Sequence, residues 1–159
     1  MIINKLKKIL AFSLIFNCYS VLAQTNNGPD NDKRLITSMM QLTAALSIQH
    51  GIANDPVCKG KKYNPISVDD YVDFLSKKDE KDGRKPQSKS EIDEMKKMIN
   101  GLINVSIPGK GVVWQDTYNM MVKNTKNAFP ISGDALCESL NGNAISLFQK
   151  AMDNLRLMK

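Results

Sequence analysis

Outside its amino-terminal leader the chain has only two cysteines, Cys58 and Cys137, so each has one candidate partner. A bond between them would tie the middle of the chain to its end, and any fold has to bring those two segments together. Whether it forms depends on where the protein works, which the first residues address. Lys5, Lys7 and Lys8 precede an apolar run over 9–16, and Val21-Leu22-Ala23 places small or tolerated residues where a signal peptidase reads. This order predicts a signal peptide over residues 1–23, cleaved after Ala23. The apolar run is far shorter than the roughly 20 residues a membrane-spanning helix needs, so no membrane span is expected after cleavage. Cys18 follows Phe16-Asn17 rather than a small residue, which argues against a lipoprotein. Export delivers the chain to an oxidising compartment, where two cysteines favour one disulfide over a metal site or a thiol nucleophile.

Charge excludes a further class. The whole chain carries 22 basic and 16 acidic residues, but loss of the leader's three lysines reduces the net charge from +6 to about +3. That is an ordinary solvated surface with mild attraction to an acidic partner or to the anionic cell envelope. It makes no case for nucleic acid, which export would also disfavour.

With 42% apolar residues, the 159-residue chain suffices for one domain with its own core. Residues 24–32 are polar with Gly28 and Pro29, and read as a flexible tether, leaving a helical domain over 33–159. Leu35, Met39, Leu42 and Leu46 recur at helical spacing up to about Gly51, with the methionines as adaptable core filling. His50, the only histidine, has no second imidazole or thiolate pair beside it and reads as a surface or helix-end residue. Residues 54–65 form a loop that presents Cys58. Ser67 followed by Asp70 opens a helix with Val68, Tyr71, Val72 and Leu75 on one face. The charged run 77–85, broken by Gly83 and followed by Pro86, is expected to be a mobile surface loop. Ser90 and Asp93 repeat the capping pattern ahead of Ile92, Met95, Ile99 and Leu102. Residues 107–111 break that helix in a turn. The glycine-lysine pair there lacks the earlier glycine and the following hydroxyl of a phosphate loop. Val113, Trp114, Thr117, Tyr118, Met121 and Val122 form the clearest apolar stripe, stopped at Phe129-Pro130, with Trp114 as a core anchor. A short helix over 132–140 carries Cys137, Asn141-Gly142 is a turn signal, and a last helix faces Ile145, Phe148, Met152 and Leu155 inward. No segment alternates over a strand's length. The expected fold is all-α, a small single-domain bundle of five or six short helices with one disulfide.

Chemistry finds little purchase. The carboxylate pairs Asp69 with Asp70, Glu91 with Glu94 and Asp79 with Glu80 fall in first helical turns or in the charged run, where they offset helix dipoles or stay solvated. The serines lack a nucleophile-elbow context and the cysteines are expected to be oxidised. No enzyme, metal or cofactor is expected. Asn104-Val105-Ser106 matches a glycosylation acceptor, a motif frequent by chance.

One resemblance gives direction. An apolar helix ending in the small residues Gly51-Ile52-Ala53, then loop Cys58, Pro65 and the helix over 68–75, is similar to a pattern in Tai/Rap-type periplasmic immunity proteins, over about thirty residues. The resemblance implies an exported helical protein that binds and blocks a peptidoglycan amidase injected by a rival cell through type VI secretion. Expected function is therefore neutralisation of a cell-wall-degrading amidase effector by occluding its active site. The alternative is a periplasmic chaperone or an envelope or conjugation accessory protein, and self-association into a homodimer stays open. Loops held on rigid helices are where binding residues concentrate. The candidate contact loops are 77–85 and the turn of Pro108, Gly109, Lys110 and Gly111, with Lys110, flanked by glycines, able to approach a partner's cleft closely.

Overall fold

The computed structural model describes residues 30–83 and 85–158, so the expected leader and its cleavage after Ala23 lie outside the described residues. Among the described residues five helices carry the fold: α1 Asp30–Asn54, α2 Val68–Lys81, α3 Lys89–Leu102, α4 Val113–Ala128 and α5 Gly133–Arg156. Between α3 and α4 lies a small antiparallel ribbon of β1 Ser106–Ile107 and β2 Gly111–Val112. The all-α class holds.

Helices α1 and α5, of 25 and 24 residues, form the spine. Their cross-links define an antiparallel pair: Gln49 reaches Asn141 near one end, and Ser38 bonds the Ala151 carbonyl toward the other. Each end carries its own core. Leu35, Met39 and Leu42 of α1 and Ala151 and Leu155 of α5 pack with Tyr71, Val72 and Leu75 of α2 and with Met95 and Ile99 of α3. At the other end, Ile48 and Ile52 join Leu136, Leu140 and Ala144 around Tyr118 and the Cys58–Cys137 disulfide. The cysteines' Cα atoms are 5.7 Å apart across a sequence separation of 79. Among the described residues both are buried, as the expected staple requires.

Several expectations are corrected, each by a contact the local pattern does not contain. Residues 30–32, expected to belong to the tether, are instead helical: Asp30 and Asp32 form the acidic first turn of α1, with Arg34 bonded back to Asp30. Helix α1 runs through Asn54 rather than ending near Gly51. Gly51 is a helix-interior residue that lets Tyr118 lie directly on the α1 backbone, where a Cβ would overlap the ring. Most of the charged run 77–85 is helical, because α2 continues to Lys81. Asp79 is buried and accepts from Gln87 Nε2 at 3.1 Å, Ser76 Oγ donates to Gln87 Oε1 at 3.2 Å, and Lys78 lies 3.9 Å from Asp82 one turn on. Asp79 is therefore not the solvated partner of Glu80 that the sequence suggests.

The cap of α3 lies two residues before the expected Ser90. Ser88 and Glu91 make a reciprocal capping box, with Ser88 N–H donating to Glu91 Oε2 at 2.8 Å and Glu91 N–H to Ser88 Oγ at 3.3 Å. The Ser88 N–H, and then the Ser88 hydroxyl donating to the same Oε2 at 2.9 Å, hold the Glu91 carboxyl below the usual carboxylate range. The expected break at Asn141-Gly142 is absent. Helix α5 passes through because Leu136, Leu140 and Ala144 at four-residue spacing are buried with α1, and that packing exceeds the roughly 1 kcal/mol a helical glycine costs. Asn141 is itself buried rather than placed in a turn. Ile145 is 38% exposed and does not face inward.

Candidate functional site

The ribbon between α3 and α4 is built by its turn residues. Pro108 sets a negative φ and Gly109 adopts φ 76°, the Pro-Gly order of a type II turn, closed by Lys110 N–H donating to the Ile107 carbonyl at 3.0 Å. Gly111, at φ 89°, then enters the short ladder opposite Ile107. The sequence reading of 107–111 as a plain turn is corrected to a hairpin, whose two-residue strands are too short to show alternation.

The hairpin also starts the next helix. Val112, at the N-cap of α4, makes no side-chain capping bond. Instead Val113 N–H donates to the Val105 carbonyl and Trp114 N–H to the Ile103 carbonyl, each at 2.9 Å. Two donors that a helix end leaves without partners are thus satisfied by the chain entering the hairpin. The base is consequently fixed to α4 while the tip is open: Pro108, Gly109 and Lys110 are exposed, and a Cβ at Gly109 would meet nothing within 4 Å.

Aromatic contacts seat α4 against α1 just beyond the hairpin. Trp114, expected to anchor the core, is only half-buried and stands edge-on to His50, with ring centroids 4.8 Å apart. His50 is therefore engaged in packing. One turn further, Tyr118 is buried over Gly51 and its hydroxyl donates to Asp55 Oδ2 at 2.7 Å. Burial, and then the adjacent Asp55 carboxylate, push the Tyr118 hydroxyl well above the usual phenol range. The stripe that looks strongest in sequence is only partly covered, Met121 and Val122 lying at the edge of the core.

Of the sequence candidates, the structure brings Pro108, Gly109, Lys110 and Gly111 together on one projecting element. Cys58 and Cys137 are joined elsewhere as a buried staple. The second candidate loop, 77–85, loses its first five residues to α2, and Gln87 beyond it is bonded back to Ser76 and Asp79 of that helix. The carboxylate pairs do not converge: Asp69 is paired with Lys96 at 3.0 Å, Glu91 belongs to its capping box and Asp79 is buried on Gln87. Among the described residues, no group of three or more His, Cys, Asp or Glu side chains is placed to hold a metal ion. The Trp114–His50 and Tyr118–Asp55 contacts escaped sequence reasoning because both are long-range. The Pro108-Gly109 pair was the available sign of the hairpin. No protein-family model, no curated protein and no solved structure matches the chain.

Proposed function

We propose that this is an exported periplasmic binding protein that neutralises a cell-wall-degrading amidase effector, with the hairpin tip Pro108-Gly109-Lys110 as the element that enters the effector's cleft. The observation that carries the reading is the hairpin's construction: an exposed tip on a base whose backbone bonds continue directly into α4. A preorganised tip loses little entropy on docking, and the glycines at 109 and 111 let the backbone approach a concave surface closely. Lys110 supplies a cation for an acidic cleft rim. The resemblance of the segment from Gly51 to the helix over 68–75 to immunity proteins supplies the class of partner.

The test is co-expression with a periplasmically targeted amidase effector encoded beside the gene, scored by cell survival and co-purification. The protein is expected to protect and to co-purify, and Lys110→Glu to weaken binding at least about thirtyfold, the effect of misplacing one charge at a desolvated contact. Absence of both protection and co-purification would overturn the inhibitor reading. Protection unchanged by Lys110→Glu would remove the hairpin as the working end.

A further inference from the structure

The end of the molecule away from the hairpin carries a second surface. One edge of it is the far end of α4, 16 residues or about 24 Å of rise from the hairpin. The antiparallel spine places the end of α1 at Asn54 beside the start of α5 at Gly133, and residues 129–132 tie the end of α4 at Ala128 to that start. The disulfide and the Lys61 Nζ to Asp134 Oδ2 contact at 2.8 Å hold the loop over 55–66 against α5.

Two large apolar side chains project here. Val57 is 58% exposed and Phe129 61% exposed. Neither is on slack chain. Val57 N–H is bonded to Asp55 Oδ1 at 2.8 Å in a turn where Cys58 and Lys59 N–H donate to the Asp55 carbonyl. Phe129 N–H donates to Thr125 O at 2.9 Å, and Ile131 N–H to Phe129 O at 2.8 Å. Pinned backbones hold these side chains outward when neighbouring Ile131 and Tyr63 pack inward.

Lysines accompany them. Lys59 and Lys62 on the loop, and Lys123 and Lys126 on the last turns of α4, are exposed, and none makes an ion pair among the described residues. The local acids are engaged within the protein: Asp134 by Lys61, Glu138 by the Tyr63 hydroxyl and Asp55 by Tyr118. This end has exposed cations, two exposed apolar side chains and, among the described residues, no arginine. Arginine's rigid fork selects a fixed carboxylate, whereas flexible lysine ammonium groups suit a fluid layer of phosphates into which short apolar side chains dip.

We infer that this disulfide-anchored end, with Val57 and Phe129 between Lys59, Lys62, Lys123 and Lys126, docks on the surface of an anionic phospholipid bilayer. The hairpin contributes no residue to this surface, so the inference stands or falls independently of the hairpin's partner.

The experiment is co-sedimentation of the protein, purified from expression of the full chain, with phosphatidylcholine vesicles containing or lacking phosphatidylglycerol. Binding is expected to vesicles with phosphatidylglycerol only, and to weaken in high salt. Lys59→Gln with Lys62→Gln should lower affinity by about fivefold per lysine, from the roughly 1 kcal/mol each contributes near an anionic surface. Lys89→Gln with Lys97→Gln on α3, an equal loss of charge, should change it little. Phe129→Ser should weaken binding without altering the helical circular dichroism. A leader retained on the chain would act alike in protein and variants, so the differences report the patch. Lack of binding to phosphatidylglycerol vesicles, or equal loss from the α3 and loop substitutions, would overturn the inference.

Discussion

Two buried serines on α1 have opposite energetic roles. Ser38 Oγ donates its one proton to the Ala151 carbonyl at 2.7 Å, so the Tyr71 hydroxyl 2.8 Å away must donate to Ser38. One residue thereby links α1, α2 and α5, and burial pushes the Tyr71 hydroxyl well above the usual phenol range. Ser47 Oγ is buried and has no hydrogen-bond partner among the described residues. Ser38→Ala should lose about 1–3 kcal/mol by stranding the Tyr71 hydroxyl, whereas Ser47→Ala should gain on the order of 1 kcal/mol by removing an unsatisfied group. Urea denaturation of the two variants checks the signs; a destabilised Ser47→Ala would show that its hydroxyl has a partner after all.

Glycines separate helix propensity from helix packing at the scale of the element. Alanine in place of a helical glycine gains about 1 kcal/mol where there is room. At Gly142, in α5, a Cβ would meet nothing within 4 Å, and Gly142→Ala should stabilise by up to that amount. At Gly51 the added Cβ would strike the near side of the Tyr118 ring, whose hydroxyl is held by Asp55 and whose ring cannot swing away. Overpacking costs about 1–3 kcal/mol or more and exceeds the propensity gain, so Gly51→Ala should lower the melting temperature while Gly142→Ala raises it. Two melting curves decide between a glycine kept for flexibility and one kept for the close approach of α1 and α4.

For the whole molecule, the disulfide closes a span of 79 residues and fixes a loop against α5 in one of the two cores. By chain entropy the bond is worth about 4 kcal/mol, reduced by any strain. Replacing both cysteines, Cys58→Ser with Cys137→Ser, should lower the melting temperature by on the order of 10 °C. Denatured, unreduced protein should take up no alkylating group at these two cysteines. Uptake at both would mean the bond is absent, and an unchanged melting temperature in the double variant would mean that it adds nothing to stability.

The sequence by itself determined the helical class, the pairing of Cys58 with Cys137, the Ser67 cap and the inward faces of α1, α2 and α3. Each depends on spacing within a turn or two, or on a choice with one solution. Only the tertiary structure decided that α5 runs unbroken through Asn141-Gly142, that the charged run continues α2 and that Trp114 sits half-buried on His50. It also showed that residues 106–112 form a hairpin capping α4. Helix propensity and charge differ between alternatives by about 1 kcal/mol or less per residue. A long-range contact such as Ala144 against α1, or a borrowed carbonyl at a helix start, is therefore enough to reverse them.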